Sequence, residues 1–168
     1  MFREIRRKDR AMNDLEIQKV LEQGEYGILA STGEDDFPYA IPYSYVVIDG
    51  KIYIHCTSQA SHSKDNLKKN HKICFTVVGE TEILPDKFGT CYESVVVFGT
   101  VEEIKDSGLI LTALNKMLEK YSADFIKEGQ IYIEKMLELT TVMEITPIHM
   151  TGKARRKSGK TNLEVFNK

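Results

Sequence analysis

A chain of 168 residues with 42% hydrophobic and 29% charged side chains has the make-up of one globular domain, large enough to bury a core without a structural metal or disulfides. No run of about 18 apolar residues suggests a membrane span, and the charged first ten residues do not read as a secretory signal. The net charge of −2 divides into +3 over residues 1–10, +5 over 151–168 and −10 between them, so the basic ends are either solvated termini or a contact for a polyanion.

Asn13, with Glu16 three residues on, makes a capping-box start for a short helix over 13–23, and Gly24 supplies its stop. Residues 26–32 alternate as a strand and end at Gly33. The stretch 38–48 reads as one longer strand, with Tyr39, Ile41, Tyr43, Tyr45 and Val47 on one face. Pro42 cannot donate to a ladder, which places that strand at an edge or a bulge. Asp49-Gly50 is a two-residue hairpin turn that returns the chain as a strand over 52–56.

A short polar helix follows over 61–70, then largely buried strands over 73–78 and 94–101. Ile110, Leu114, Met117, Leu118 and Tyr121 fall on one stripe of an amphipathic helix. A second helix is expected over 130–138, and 141–150 returns to strand, interrupted at Pro147. Antiparallel strands with helices at the ends and in one long crossover indicate an α+β protein built on a closed or partly open barrel. Residues 1–153 form the domain, and 154–168 are expected to be a mobile basic tail.

Chemistry concentrates in His55-Cys-Thr-Ser-Gln-Ala-Ser-His-Ser-Lys64, where a strand leaves the sheet and a helix begins. Helix N-termini expose unpaired N–H groups and a partial positive charge, so they accept phosphate readily. Ser61 and Ser63 add hydroxyls, and His62 and Lys64 can supply positive charge, although a serine at a helix start is more often only an N-cap. Cys56, Cys74 and Cys91 show no CxxC spacing and read as free thiols of a cytoplasmic protein. The histidines and cysteines show no metal-ligand spacing.

The order Arg6-Arg-Lys-Asp-Arg-Ala-Met12, Phe37-Pro-Tyr-Ala-Ile-Pro42, Ile52-Tyr-Ile-His55, Tyr92-Glu-Ser-Val-Val-Val-Phe-Gly99 and Thr151-Gly-Lys153 resembles the nitroimidazole-resistance branch of the pyridoxamine-phosphate-oxidase-like flavoproteins. The resemblance runs from Arg6 to Lys153. It implies a Greek-key, FMN-binding split barrel with flanking helices, and a homodimer with flavin between its subunits. FMN is the expected cofactor, with FAD as the alternative.

By position, Ser61, His62 and Ser63 match the family's phosphate segment. His55 matches a strand-end histidine close to the cofactor and substrate pocket, where it would position or protonate a substrate. Tyr92, Glu93 and Ser94 match a motif that approaches the flavin across the dimer, while Pro42, Tyr43, Ser44 and Thr57 are expected along it. Two departures stand out: Ser63 and Cys91 occupy places where a basic residue is usual, and Lys64 or His62 is the expected compensation.

Two functions follow. One is a flavin-dependent oxidoreductase acting on small molecules, nitro-aromatic or nitroimidazole compounds among them. The other is a non-catalytic flavin store or sensor. A nucleic-acid role for the basic tail lacks any binding motif.

Overall fold

The computed structural model describes residues 2–34 and 36–157. In chain order these form α1 (Asp14–Gln23), β1 (Gly27–Thr32), β2 (Pro38–Tyr43), β3 (Tyr45–Ile48), β4 (Lys51–Thr57), α2 (His62–Lys69), β5 (Lys72–Leu84), β6 (Gly89–Glu103), α3 (Ser107–Tyr121), α4 (Ile126–Met136) and β7 (Thr140–Arg155). The strands make one antiparallel sheet in the order β2-β1-β5-β6-β7-β4-β3.

That order has a geometric consequence. β2 and β3 are the two edges, yet Ser44 alone separates them in the chain. Neighbouring strands lie about 4.8 Å apart, so a flat sheet would hold its edges about 29 Å apart. Two peptide steps span at most about 7 Å. The sheet must therefore curl into a barrel whose last seam is covalent rather than hydrogen-bonded. The barrel is split, and the α+β class expected from the sequence is the one observed.

The core fills the curl. Leu29, Phe75, Val77, Val95, Val97 and Ile145 are fully buried on the inner face. At such positions Phe→Ala costs about 3–5 kcal/mol through lost burial and the cavity left behind. Gly27 is required by this packing, because a Cβ there would lie 2.1 Å from the Phe75 ring. α1 packs Ile17, Val20 and Leu21 into the same core. Its capping box is complete, with Asn13 Oδ1 accepting from Glu16 N–H and Glu16 Oε2 accepting from Asn13 N–H. Tyr45 is wholly buried, stands edge-on to Phe75, and donates its hydroxyl to Leu21 O at 2.5 Å. A second cluster lies outside the barrel, where α3 packs Ala113, Leu114 and Met117 on Val46, Tyr53 and Val142.

The edge position expected from Pro42 is observed, as is the Asp49-Gly50 turn, with φ of +50° and +77°. Four boundaries differ from the sequence reading. The strand expected over 38–48 is broken at Ser44, although Tyr43, Tyr45 and Val47 still face one core. β5 and β6 extend well beyond 73–78 and 94–101 into a two-stranded arm past a bulge between Val78 and Thr81. The arm escaped notice because Ile83 and Phe88 are exposed and its other residues are mostly polar, and the buried Leu84 and Cys91 are too few to impose a period. α4 starts four residues earlier than expected. Finally, β7 continues to Arg155, past the boundary set at residue 153, and Ala154 is buried. The rest of the expected mobile tail, 158–168, lies outside the described residues.

Candidate functional site

β4 places His55 on the face it shares with Tyr53, opposite Ile54 and Cys56, which turn towards the barrel core. One edge of the imidazole is shielded: Nδ1 lies 3.2 Å from the Met117 sulfur on α3. The other edge is open, so the residue as a whole remains exposed. Burial of the shielded side disfavours the imidazolium and lowers the His55 pKa below its ordinary value. Nε2 has no protein hydrogen-bond partner among the described residues.

That open edge forms the floor of a cleft of about 950 Å³. Ser44, Thr57 and Thr140 line its sheet side, and α3 and α4 supply an apolar wall that includes Leu118, Tyr121, Phe125, Tyr132 and Ile133. This wall was not foreseen from the sequence. Its signal was the apolar spacing of Tyr132, Ile133 and Met136, none of which is fully buried, although Ile133 packs against the α3 cluster. Cys56 also borders the cleft, but its side chain packs against the barrel core and burial raises the thiol pKa, so it is a poor nucleophile here.

Thr57 ends β4, and the chain reaches α2 within four residues. Ser61 is the N-cap, its hydroxyl oxygen accepting from Lys64 N–H. The first-turn amides of His62 and Ser63 have no intrahelical acceptor, which suits them to an anion. The side chains behave otherwise than expected. Ser63 is buried, with its hydroxyl 3.0 Å from that of Tyr43.

Lys64 is also buried, and its ammonium donates to Thr57 O, Ser58 O and Thr141 Oγ1 at 3.4, 3.1 and 3.1 Å. The lysine fastens the 57–61 turn to β7 and does not face outward as the expected replacement cation. Only His62 is exposed, edge-on to Tyr39 at 4.5 Å. Two buried polar atoms beside α2, Ser31 Oγ and Asn66 Nδ2, have no partner.

The third expected segment lies on β6, apart from the cleft. Tyr92 and Ser94 point to the outer face opposite Arg155 and Lys153 of β7. Burial works to raise the Tyr92 pKa, but hydrogen bonds from Arg10 and Lys153 outweigh it, and the net shift is downward. Glu93 turns inward, buried. Arg156 pairs with it at 2.7 Å and with Glu16 at 3.2 Å. Nothing in the sequence marked Arg156 for this role. The outer face between these groups carries Ile28, Val78, Val96 and Phe98, with Phe2 stacked on Phe98 and His149.

Comparison with known proteins gives no match among curated proteins. Solved structures do match. A candidate 5-nitroimidazole antibiotic resistance protein from Bacteroides thetaiotaomicron is 20% identical, with 86% of each chain covered and a TM-score of 0.72. A flavocytochrome from Azotobacter vinelandii is 18% identical over 98% of this chain and 79% of its own, with a TM-score of 0.75. An FAD-binding protein from Mesorhizobium loti is 22% identical over 88% of this chain and 98% of its own, with a TM-score of 0.61. At these identities the likeness speaks for the fold alone. The family model described as pyridoxamine 5'-phosphate oxidase matches residues 13–154, from the cap of α1 almost to the end of β7. With the seam at Ser44 and the sheet order above, the chain belongs to the pyridoxamine 5'-phosphate oxidase family of flavin-binding split barrels.

Proposed function

We propose that the protein binds a flavin phosphate, FMN or alternatively FAD, as a homodimer in the cytoplasm, and works as an oxidoreductase on small molecules, nitro-aromatic compounds among them. One observation carries the reading. A histidine with an unpartnered Nε2 on the floor of an apolar cleft stands six residues before a helix start with unpaired amides, on a single strand-to-helix turn.

The donor set fits such a cofactor. The amides of His62 and Ser63, with the His62 ring, would hold the phosphate, and Ser44 and Thr57 would border the ring end. When bound, the flavin supplies the electron transfer. This chain's own residues bind, orient and exclude water. His55 rests neutral near pH 7 and can hold a proton at Nε2 for a substrate in the cleft. The apolar outer row of Ile28, Val78, Val96 and Phe98 is a surface that a second copy would cover. In that dimer Tyr92 and Ser94 would reach towards the second flavin.

The internal bonds of Ser63 and Lys64 favour the second reading, a flavin store or sensor, since both side chains are unavailable to a phosphate. One set of measurements separates the readings. The purified protein is expected to show flavin absorption, to release FMN on denaturation, and to sediment at twice its 19.2 kDa chain mass. It should also turn over a nitro-aromatic acceptor with a nicotinamide reductant. Bound flavin without turnover selects the store or sensor, and protein that takes up no added flavin rejects both.

A further inference from the structure

The cleft beside His55 is larger than a single small ring needs and lies near the upper end of small-molecule sites, about 300–1,000 Å³. Its charge is one-sided. Among the described residues that line it, Glu128 carries the only formal charge at neutral pH, and no lysine or arginine is present. Two lysines next to lining residues, Lys64 by its contact with Thr57 and Lys120 by its place before Tyr121, are engaged by the protein itself. Lys64 is committed to Thr57 O, Ser58 O and Thr141 Oγ1. Lys120 donates to Tyr45 O and lies 4.1 Å from the centre of the Tyr45 ring and 5.2 Å from that of the wall residue Tyr121.

An anion entering this cleft would lose hydration and meet a carboxylate with no cation to offset it. An aromatic molecule would instead stack against Tyr121, Phe125 and Tyr132, whose ring faces also attract positive charge.

We propose that this cleft binds a polycyclic aromatic molecule bearing no negative charge, anchored by a hydrogen bond at His55 Nε2, and that it rejects ligands whose phosphate or carboxylate would lie inside the cleft. As a substrate site it rests on the flavin reading, but as a binding site it stands without it. The phosphorylated substrate that the family's name denotes has no cation to meet here.

The test compares N-phenyl-1-naphthylamine with 8-anilino-1-naphthalenesulfonate, which share one ring system and differ by a negative charge. Each is titrated by fluorescence into the whole protein as purified. The neutral probe is expected to saturate at one per chain, and the sulfonate to bind at least about tenfold more weakly.

Tyr132→Ala should weaken the neutral probe several-fold, and Glu128→Lys should narrow the gap between the two to about threefold or less. Both positions are exposed on α4, which buries no residue, so thermal melting should confirm that both variants fold. Equal affinity of the two probes for the parent protein overturns the proposal. So does neutral-probe binding that ignores Tyr132→Ala, or a gap that Glu128→Lys leaves unchanged. The absorption spectrum of the same sample tells the two readings apart. The expected probe pattern in protein that takes up no added flavin sinks the flavin reading and leaves the binding site standing, whereas bound flavin with the wrong pattern sinks only this one.

Discussion

Two stretches of the same turn, six residues apart, treat their polar groups in opposite ways. At the start of α2, Ser61 caps the helix, Ser63 meets Tyr43, and Lys64 fastens two carbonyls and a threonine. At the end of β4, His55 leans one nitrogen on Met117 and leaves the other without a protein partner beside the cleft. Both stretches look equally functional as text. A polar side chain whose bonds are completed inside the fold is architecture, and one left incomplete beside open space is available to a ligand.

If that division holds, changing the incomplete group should cost function, and changing the completed ones should cost stability. His55→Ala carries the largest expected effect: a loss of about 100-fold to 10,000-fold in turnover per bound flavin, with the melting temperature nearly unchanged. A variant that melts early and turns over normally would place His55 with the architectural residues. Arg156→Ala should do the reverse. It leaves Glu16 and Glu93 buried without their cation, at a cost of about 3–5 kcal/mol. Differential scanning calorimetry should show a fall of roughly 10 °C in Tm.

Lys64→Met comes next. It strips the donor from two carbonyls and Thr141, for about 1–3 kcal/mol, while flavin affinity should change little. A large loss of flavin with an unchanged Tm would mean that the ammonium serves the phosphate after all. Ser61→Ala removes a cap worth about 1 kcal/mol. Because the cap sits at the proposed phosphate end, equilibrium dialysis should show weaker flavin binding with little change in turnover of the loaded fraction.

The smallest effect is a pH dependence. The folded pKa of His55 is depressed by burial, so the unfolded chain binds its proton first as pH falls. The contribution of His55 to stability is therefore complete above its ordinary pKa of about 6.5 and is lost as pH drops through the lower folded value. Urea melts between pH 7 and pH 5 should decline less steeply for His55→Ala than for the parent protein.

The legible part of the molecule was the part written locally. The capping box of Asn13 and Glu16, the edge position of Pro42, the Asp49-Gly50 turn and the face of His55 each depend on residues within a few places of one another. What the sequence concealed joins distant places. Arg156 reaches Glu93 across 63 residues and Glu16 across 140, and Lys64 reaches Thr141 across 77. No period or spacing encodes such pairs, so Lys64 reads as a free cation and Glu93 as a group that faces the cofactor. The apolar wall was hidden for a related reason. α4 buries no side chain fully, and its Tyr132 and Ile133 have meaning only once α3 and β4 are placed beside them.

The single residue between β2 and β3 makes the barrel a rolled sheet with one stitched seam. Ser44 is the stitch, and it borders the cleft. Just beyond it, the Tyr121 hydroxyl accepts from Tyr45 N–H at 2.9 Å and donates to Tyr45 O at 2.8 Å, so α3 clamps the stitch from outside. The ladder cannot share strain across the seam, because among the described residues no ladder hydrogen bonds join β2 to β3. A molecule wedged between α3 and His55 would therefore push first on this clamp, which Tyr121 and Lys120 of α3 share at Tyr45.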